Sequence, residues 1–134
     1  MGIDPVYLLR ATVICAALLL ANPSFAGARA LSPAGAWQLS DGTARVRVSM
    51  CGDGTQLCAL LTAVEGKART PGNLKLLNTY VVAEARMAEA NVWEGTVHFD
   101  GQSAEGKITL VTARQIEVSG CNMGVCKTLL FERI

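Results

Sequence analysis

The sequence predicts an all-β fold, a small antiparallel meander barrel of about seven or eight strands with at most one short helix. Three observations predict it. Apolar and polar residues alternate with period two along several short segments. Turn residues recur every 8–12 residues or so, as expected of short strands joined in sequence. Four cysteines fall into two close pairs, Cys51 with Cys58 and Cys121 with Cys126, and each pair brackets turn chemistry.

The first segment of the 134-residue chain stands apart from this pattern. Arg10 ends a short n-region, and Ala11 to Ala21 (ATVICAALLLA) is an uncharged apolar run of h-region length, followed by polar Asn22-Pro23-Ser24. The run is shorter than the roughly 20 apolar residues of a membrane-spanning helix. It reads as a secretory signal peptide over 1–26, cleaved after Ala26, with Ala30 as the alternative site. Cys15 lies inside the apolar run behind Ile14 and leaves with the leader, so no membrane anchor is expected after cleavage. The mature domain, 31–134, is long enough for one core and one domain. Its location is expected to be periplasmic or secreted.

The strand candidates run in chain order. Gly35-Ala36-Trp37 opens the first strand. Val46, Val48 and Met50 alternate with Arg45, Arg47 and Ser49 after the Asp41-Gly42 turn. Further segments are Leu57 to Val64, Leu74 to Val82, Val92 to Phe99, Lys107 to Thr112, Gln115 to Ser119 and Lys127 to Arg133. Trp93, Gly95, Val97 and Phe99 share one face, with Glu94, Thr96 and His98 on the other. Asp100-Gly101 and Gly106 punctuate the stretch between Phe99 and Lys107. Ala83 to Ala90 (AEARMAEA) is rich in helix formers and is expected to be a short helix or an irregular connection. Gly66 to Asn73 reads as a loop.

An even number of cysteines in an exported chain of this size reads as a disulfide framework. Local pairing is favoured because Gly52-Asp53-Gly54 and Asn122-Met123-Gly124 form the enclosed turns. Residues facing each other across a hairpin have Cα atoms about 4.5–5.5 Å apart, which overlaps disulfide geometry. Spacings of six and four intervening residues fit neither the C-x-x-C redox motif nor a structural zinc pattern, so no metal and no cofactor is expected. The bonds are expected to hold two turns.

Function classes are excluded by composition. From Leu31 onward basic and acidic residues are equal in number and form no run, so no field steers nucleic acid to the surface. From Leu31 onward aromatic residues are few: Trp37, Tyr80, Trp93, Phe99 and Phe131. His98 is the single histidine, placed on the polar strand face without a Ser, Cys or Asp motif beside it, and no catalytic residue is assigned. Ser49 and Ser103 lack a nucleophile-elbow context. Glu84, Glu89, Glu94 and Asp100 are expected on solvated faces. Gly52-Asp53-Gly54 opens no helix and is not a phosphate loop.

Gly35 and Trp37 on the first strand, with Arg133 near the terminus, resemble the lipocalin-like arrangement. In such barrels a late Arg packs over the indole and closes the barrel end through a cation–π contact. A wider set of motifs resembles the exported bacterial family called domain of unknown function 2147. These are Gly35-x-Trp37, Arg45-Val46-Arg47, Cys51-Gly52 with Cys58, Trp93-Glu94-Gly95, Gly106-Lys107-Ile108-x-Leu110, Val118-x-Gly120-Cys121 with Cys126, and Phe131-Glu132-Arg133. Thr96 and Ala59 stand where that family tends to have Gly, and the loop around Pro71-Gly72-Asn73 is short. The resemblance implies a small exported β-barrel and implies no activity.

The leading expectation is therefore a binding module for a small apolar ligand in the cell envelope, without enzyme activity. A protein-interaction or inhibitor module of protease or lysozyme type is the alternative, with an envelope protein as partner. The third is a structural envelope component assembled through an exposed strand edge. Small barrels are often filled by their own side chains, so little cavity is expected.

Overall fold

The computed structural model describes residues 31–134. The predicted leader, both cleavage sites and Cys15 lie outside the described residues. Eight strands run in sequence order, and every neighbouring pair is antiparallel. They are β1 (Gly35–Leu39), β2 (Ala44–Cys51), β3 (Gln56–Val64), β4 (Tyr80–Glu89), β5 (Val92–Phe99), β6 (Gln102–Thr112), β7 (Gln115–Asn122) and β8 (Val125–Arg133). β1 pairs with β8, with Trp37 opposite Arg133, and closes the ring. Closure removes the free strand edges on which an edge-paired assembly would rest. Among the described residues no helix is long and apolar enough to cross a membrane.

The meander sorts the connections to two ends. The β2–β3, β4–β5 and β6–β7 turns share one end with residues 31–34, and the β1–β2, β3–β4, β5–β6 and β7–β8 connections share the other. The most deeply buried large side chains, Trp37, Leu57 and Trp93, are tied to the first of these ends. Trp37 Nε1 donates to the Pro33 carbonyl at 2.8 Å, and Trp93 Nε1 to the Thr55 carbonyl at 2.9 Å. A buried indole N–H needs such an acceptor, so each tryptophan is fixed in orientation as well as depth.

Ala83 to Ala90 is not a helix; it lies within β4. The backbone explains why the pattern misleads. β4 makes irregular ladders with both neighbours, and Glu84 takes φ 53 within it. A bulge inserts an extra residue, so the core positions are Val82 and Ala85, 4% and 1% exposed, at a spacing of three instead of two. Helix propensity is a weak prior, and a segment whose groups are paired on both sides by β3 and β5 overrides it. The Glu84 N–H at the bulge points at Cys58 Sγ, 3.2 Å away.

The short helix lies elsewhere. α1 (Pro71–Leu76) takes up part of the predicted loop and the start of the predicted Leu74–Val82 strand, after a 3-10 turn at Gly66–Ala68. Thr70 is its N-cap, accepting from the Asn73 N–H at 3.1 Å, and Pro71 occupies the first turn. Threonine before proline is the expected opening of a helix. β6 also begins earlier than Lys107, so Gly106 sits inside a strand and not in a turn; the Val97 side chain fills the space beside it.

Both disulfides are local. Cys121 and Cys126 face each other directly in the β7–β8 ladder, Cα atoms 4.0 Å apart, behind a two-residue turn in which Met123 and Gly124 both have positive φ. That is the hairpin turn whose twist matches the flanking strands. The first pair is diagonal: Cys51 lies opposite Gln56 and Cys58 opposite Ser49, with Cα atoms 6.0 Å apart. Closing loops this short contributes on the order of 2–2.5 kcal/mol each in the chain-entropy picture.

Candidate functional site

A cavity of about 410 Å³ occupies the barrel and opens at the end opposite the tryptophans. The expectation of a filled interior is overturned. Two features of the inward-facing residues account for the space. Both tryptophans are drawn to the closed end, and Ala59 puts only a methyl group on the wall; the space beside Gly95 and Gly106 is filled by Ala85 and Val97. Val46, Val48, Leu61, Ile108 and Ile116 supply aliphatic walls, and Val118, Leu129 and Phe131 continue them toward the mouth. The volume falls within the range of about 300–1,000 Å³ usual for small-molecule sites.

The connection carrying α1 partly covers the mouth. Its Ala68, Leu76 and Leu77 pack against the core, and it is held to the β5–β6 turn by two hydrogen bonds. Thr70 Oγ1 donates to Asp100 Oδ1 at 2.6 Å, and the Asp100 N–H donates to Asn73 Oδ1 at 2.7 Å. Gly72 lies so close to this turn that a Cβ there would come within 2.6 Å of the Asp100 carbonyl carbon. A side chain at that position would push the helix off the turn.

Asp41, Lys67, His98, Asp100 and Lys127 ring the opening. Lys67 Nζ lies 3.4 Å from Asp41 Oδ2, an exposed pair of small energetic weight. Lys127 Nζ sits 5.6 Å from the centroid of the Phe99 ring. Asp41 also anchors the β1–β2 turn, its Oδ1 accepting from the Thr43 hydroxyl at 2.6 Å and the Thr43 N–H at 2.9 Å. Asp53 does the same for Thr55 in the β2–β3 turn. The threonine hydroxyl, then the threonine N–H, holds each carboxyl below its ordinary value of 3.8. A lowered folded-state value means that this contribution to stability is complete above about 3.8 and is lost as pH falls through the folded value. Thr43→Val is expected to move the Asp41 titration back up, followed by NMR of its carboxyl carbon; an identical titration in both proteins would contradict the assignment.

Gly35, Trp37 and Arg133 meet at the end of the barrel that residues 31–34 share. The Arg133 guanidinium carbon lies 4.4 Å from the centroid of the Trp37 ring. Its three nitrogens donate to the carbonyls of Ala113, Ala34 and Ser32, each at 2.8 Å. Gly35 has φ 137, and a Cβ there would stand 2.7 Å from the guanidinium. Glycine thus meets two requirements at once, the backbone angle and the room for Arg133.

Of the chemical groups weighed from the sequence, one pair is brought together that spacing did not reveal. His98 and Ser103 face each other across β5 and β6, with Nδ1 and Oγ 2.7 Å apart. The segment between them includes the Asp100-Gly101 turn, and counting outward from it would have found the pairing. Among the described residues the imidazole has no other hydrogen-bond partner, so no carboxylate orients it as a base. Ser49 lies opposite Cys58 in the β2–β3 register, and the His98 ring bonds to Ser103. Glu84, Glu89 and Glu94 are exposed, and Asp100 is engaged by Thr70 and Asn73. Among the described residues no group of three His, Cys, Asp or Glu side chains could hold a metal.

The site is therefore an apolar chamber with one polar rim. No family model, no curated protein and no solved structure matches the chain.

Proposed function

We propose that this protein is an exported binding module, periplasmic or secreted, that holds a small apolar ligand in its barrel and catalyses no reaction. The observation that supports the reading is the 410 Å³ cavity, walled by aliphatic side chains and open at one end only. Burial of an apolar ligand there gains about 25 cal/mol for each Å² removed from water, and the closed barrel needs no rearrangement of its core to provide the surface. The leader and the two disulfides support export. The motif order supports membership in the domain of unknown function 2147 family.

Ala59 lines the wall with its methyl group facing the cavity. Ala59→Phe is expected to fill part of the chamber without loss of stability and to weaken uptake of an apolar fluorescent probe by about tenfold or more. Equal uptake by both proteins would place the probe outside the barrel and remove the reading.

An interaction or inhibitor module is the second reading, supported by the tip of the β7–β8 hairpin. Met123 is 96% and Val125 70% exposed, on a turn stapled by Cys121–Cys126. Native mass spectrometry of protein taken from its own cell envelope distinguishes the two. A retained small mass supports the first reading, and a bound protein supports the second.

A further inference from the structure

We infer that the chamber selects amphiphiles with an acidic headgroup, of the straight-chain carboxylate kind, and that Lys127 is the residue that selects them. The inference rests on the binding reading above and names the ligand class for the same cavity.

The alternation along β8 places Val125, Lys127, Leu129, Phe131 and Arg133 on the inward side, and Cys126, Thr128, Leu130 and Glu132 on the outward side. Lys127 and Arg133 are thus the charged residues of this strand that face in, one at each end of the barrel. Arg133 is committed to three backbone carbonyls and to Trp37 at the closed end. Lys127 stands at the open end, and its surroundings are unusual for a lysine. The register runs Gly95, Gly106, Gly120, Lys127 across four neighbouring strands. Three consecutive inward positions carry no side chain, and the lysine is the one long group in the row. Its ammonium is held beside Phe99, with Gly120, Ala104, Val97 and Leu129 lining a small recess under its stem.

The charges at the mouth leave this cation available. Lys67 is paired with Asp41, and the Asp100 carboxylate accepts from Thr70. Among the described residues no carboxylate lies within ion-pair distance of Lys127. The Phe99 face contributes an attraction of its own, but a ring quadrupole offers no hydrogen-bond acceptor comparable with a carboxylate. An amphiphile entering tail first would lay its chain along Leu129, Val118 and Phe131 and stop with its headgroup at the lysine. An alcohol of the same length would gain the same apolar burial without the charge-assisted bond. An ammonium headgroup would meet a like charge.

The test is calorimetric titration of the delipidated protein with dodecanoate, dodecanol and dodecylammonium at neutral pH and low salt. Dodecanoate is expected to bind about tenfold more tightly than dodecanol, the size of one partly exposed charge-assisted bond, with dodecylammonium weakest. The ratio of the first two affinities should fall to near one in Lys127→Met, persist in Lys127→Arg and shrink as salt is added. Equal binding of dodecanoate and dodecanol by the native protein, or an unchanged ratio in Lys127→Met, overturns the headgroup assignment and leaves the cavity reading standing. Failure of the folded, disulfide-bonded protein to bind any of these compounds overturns both.

Discussion

Replacing Trp37 by alanine is expected to cost about 3–5 kcal/mol, the range for emptying a large aromatic site in a packed core. The indole is fully buried, its N–H is bonded to Pro33, and the guanidinium of Arg133 lies against its face. Position matters as much as size. The ring plugs the closed end of a barrel that already contains a cavity, so its removal would join the new void to the old one, and water could enter from both sides. Local collapse is the usual means by which a core limits such damage, and a wall built from a closed ladder cannot collapse without breaking hydrogen bonds. Trp37→Phe should recover most of the loss and leave a deficit of about 1–2 kcal/mol for the Pro33 carbonyl and the lost ring area. Chemical denaturation measures both variants; a midpoint for Trp37→Ala within about 1 kcal/mol of the native protein would mean that the indole is not the plug.

Arg133→Ala should lower stability by about 2 kcal/mol. The guanidinium ties together three segments: residues 32 and 34 before β1, Ala113 in the β6–β7 turn, and Trp37. Water can satisfy the freed carbonyls at this end, which keeps the cost below that of three buried hydrogen bonds. Arg133→Lys is expected to recover less than half, because an ammonium cannot reproduce the planar fork that reaches three acceptors while stacking on an indole. The N-terminal segment, released from its contacts, should become open to proteolysis before the barrel unfolds. An unchanged denaturation midpoint in folded Arg133→Ala protein would show that the ring closes without it.

Much of the fold was legible because the signals are local. The Arg45–Met50 alternation, the Asp-Gly turns and the cysteines separated by six and four residues each involve groups close in sequence, and each appears in the structure as a strand, a turn or a bond. The Thr70-Pro71 helix start is equally local, but the Leu-rich stretch that follows it has the composition of a strand. The β4 segment was a different kind of miss. Its bulge at Glu84 shifts Ala85 onto the core face and gives the hydrophobic positions a helical spacing, and only pairing with β3 and β5 reveals the extra residue.

What the sequence alone determined is therefore the all-β class, the order of antiparallel strands and the two stapled turns, all consequences of side-chain period and short loops. Only the tertiary structure decided the size of the cavity and the inward station of Lys127 beside Phe99. A cavity is the small remainder after side chains from eight strands are placed in one ring, and that remainder depends on where the bulky and the small inward residues fall relative to one another. Register sets those positions, and register is fixed when the ladders close.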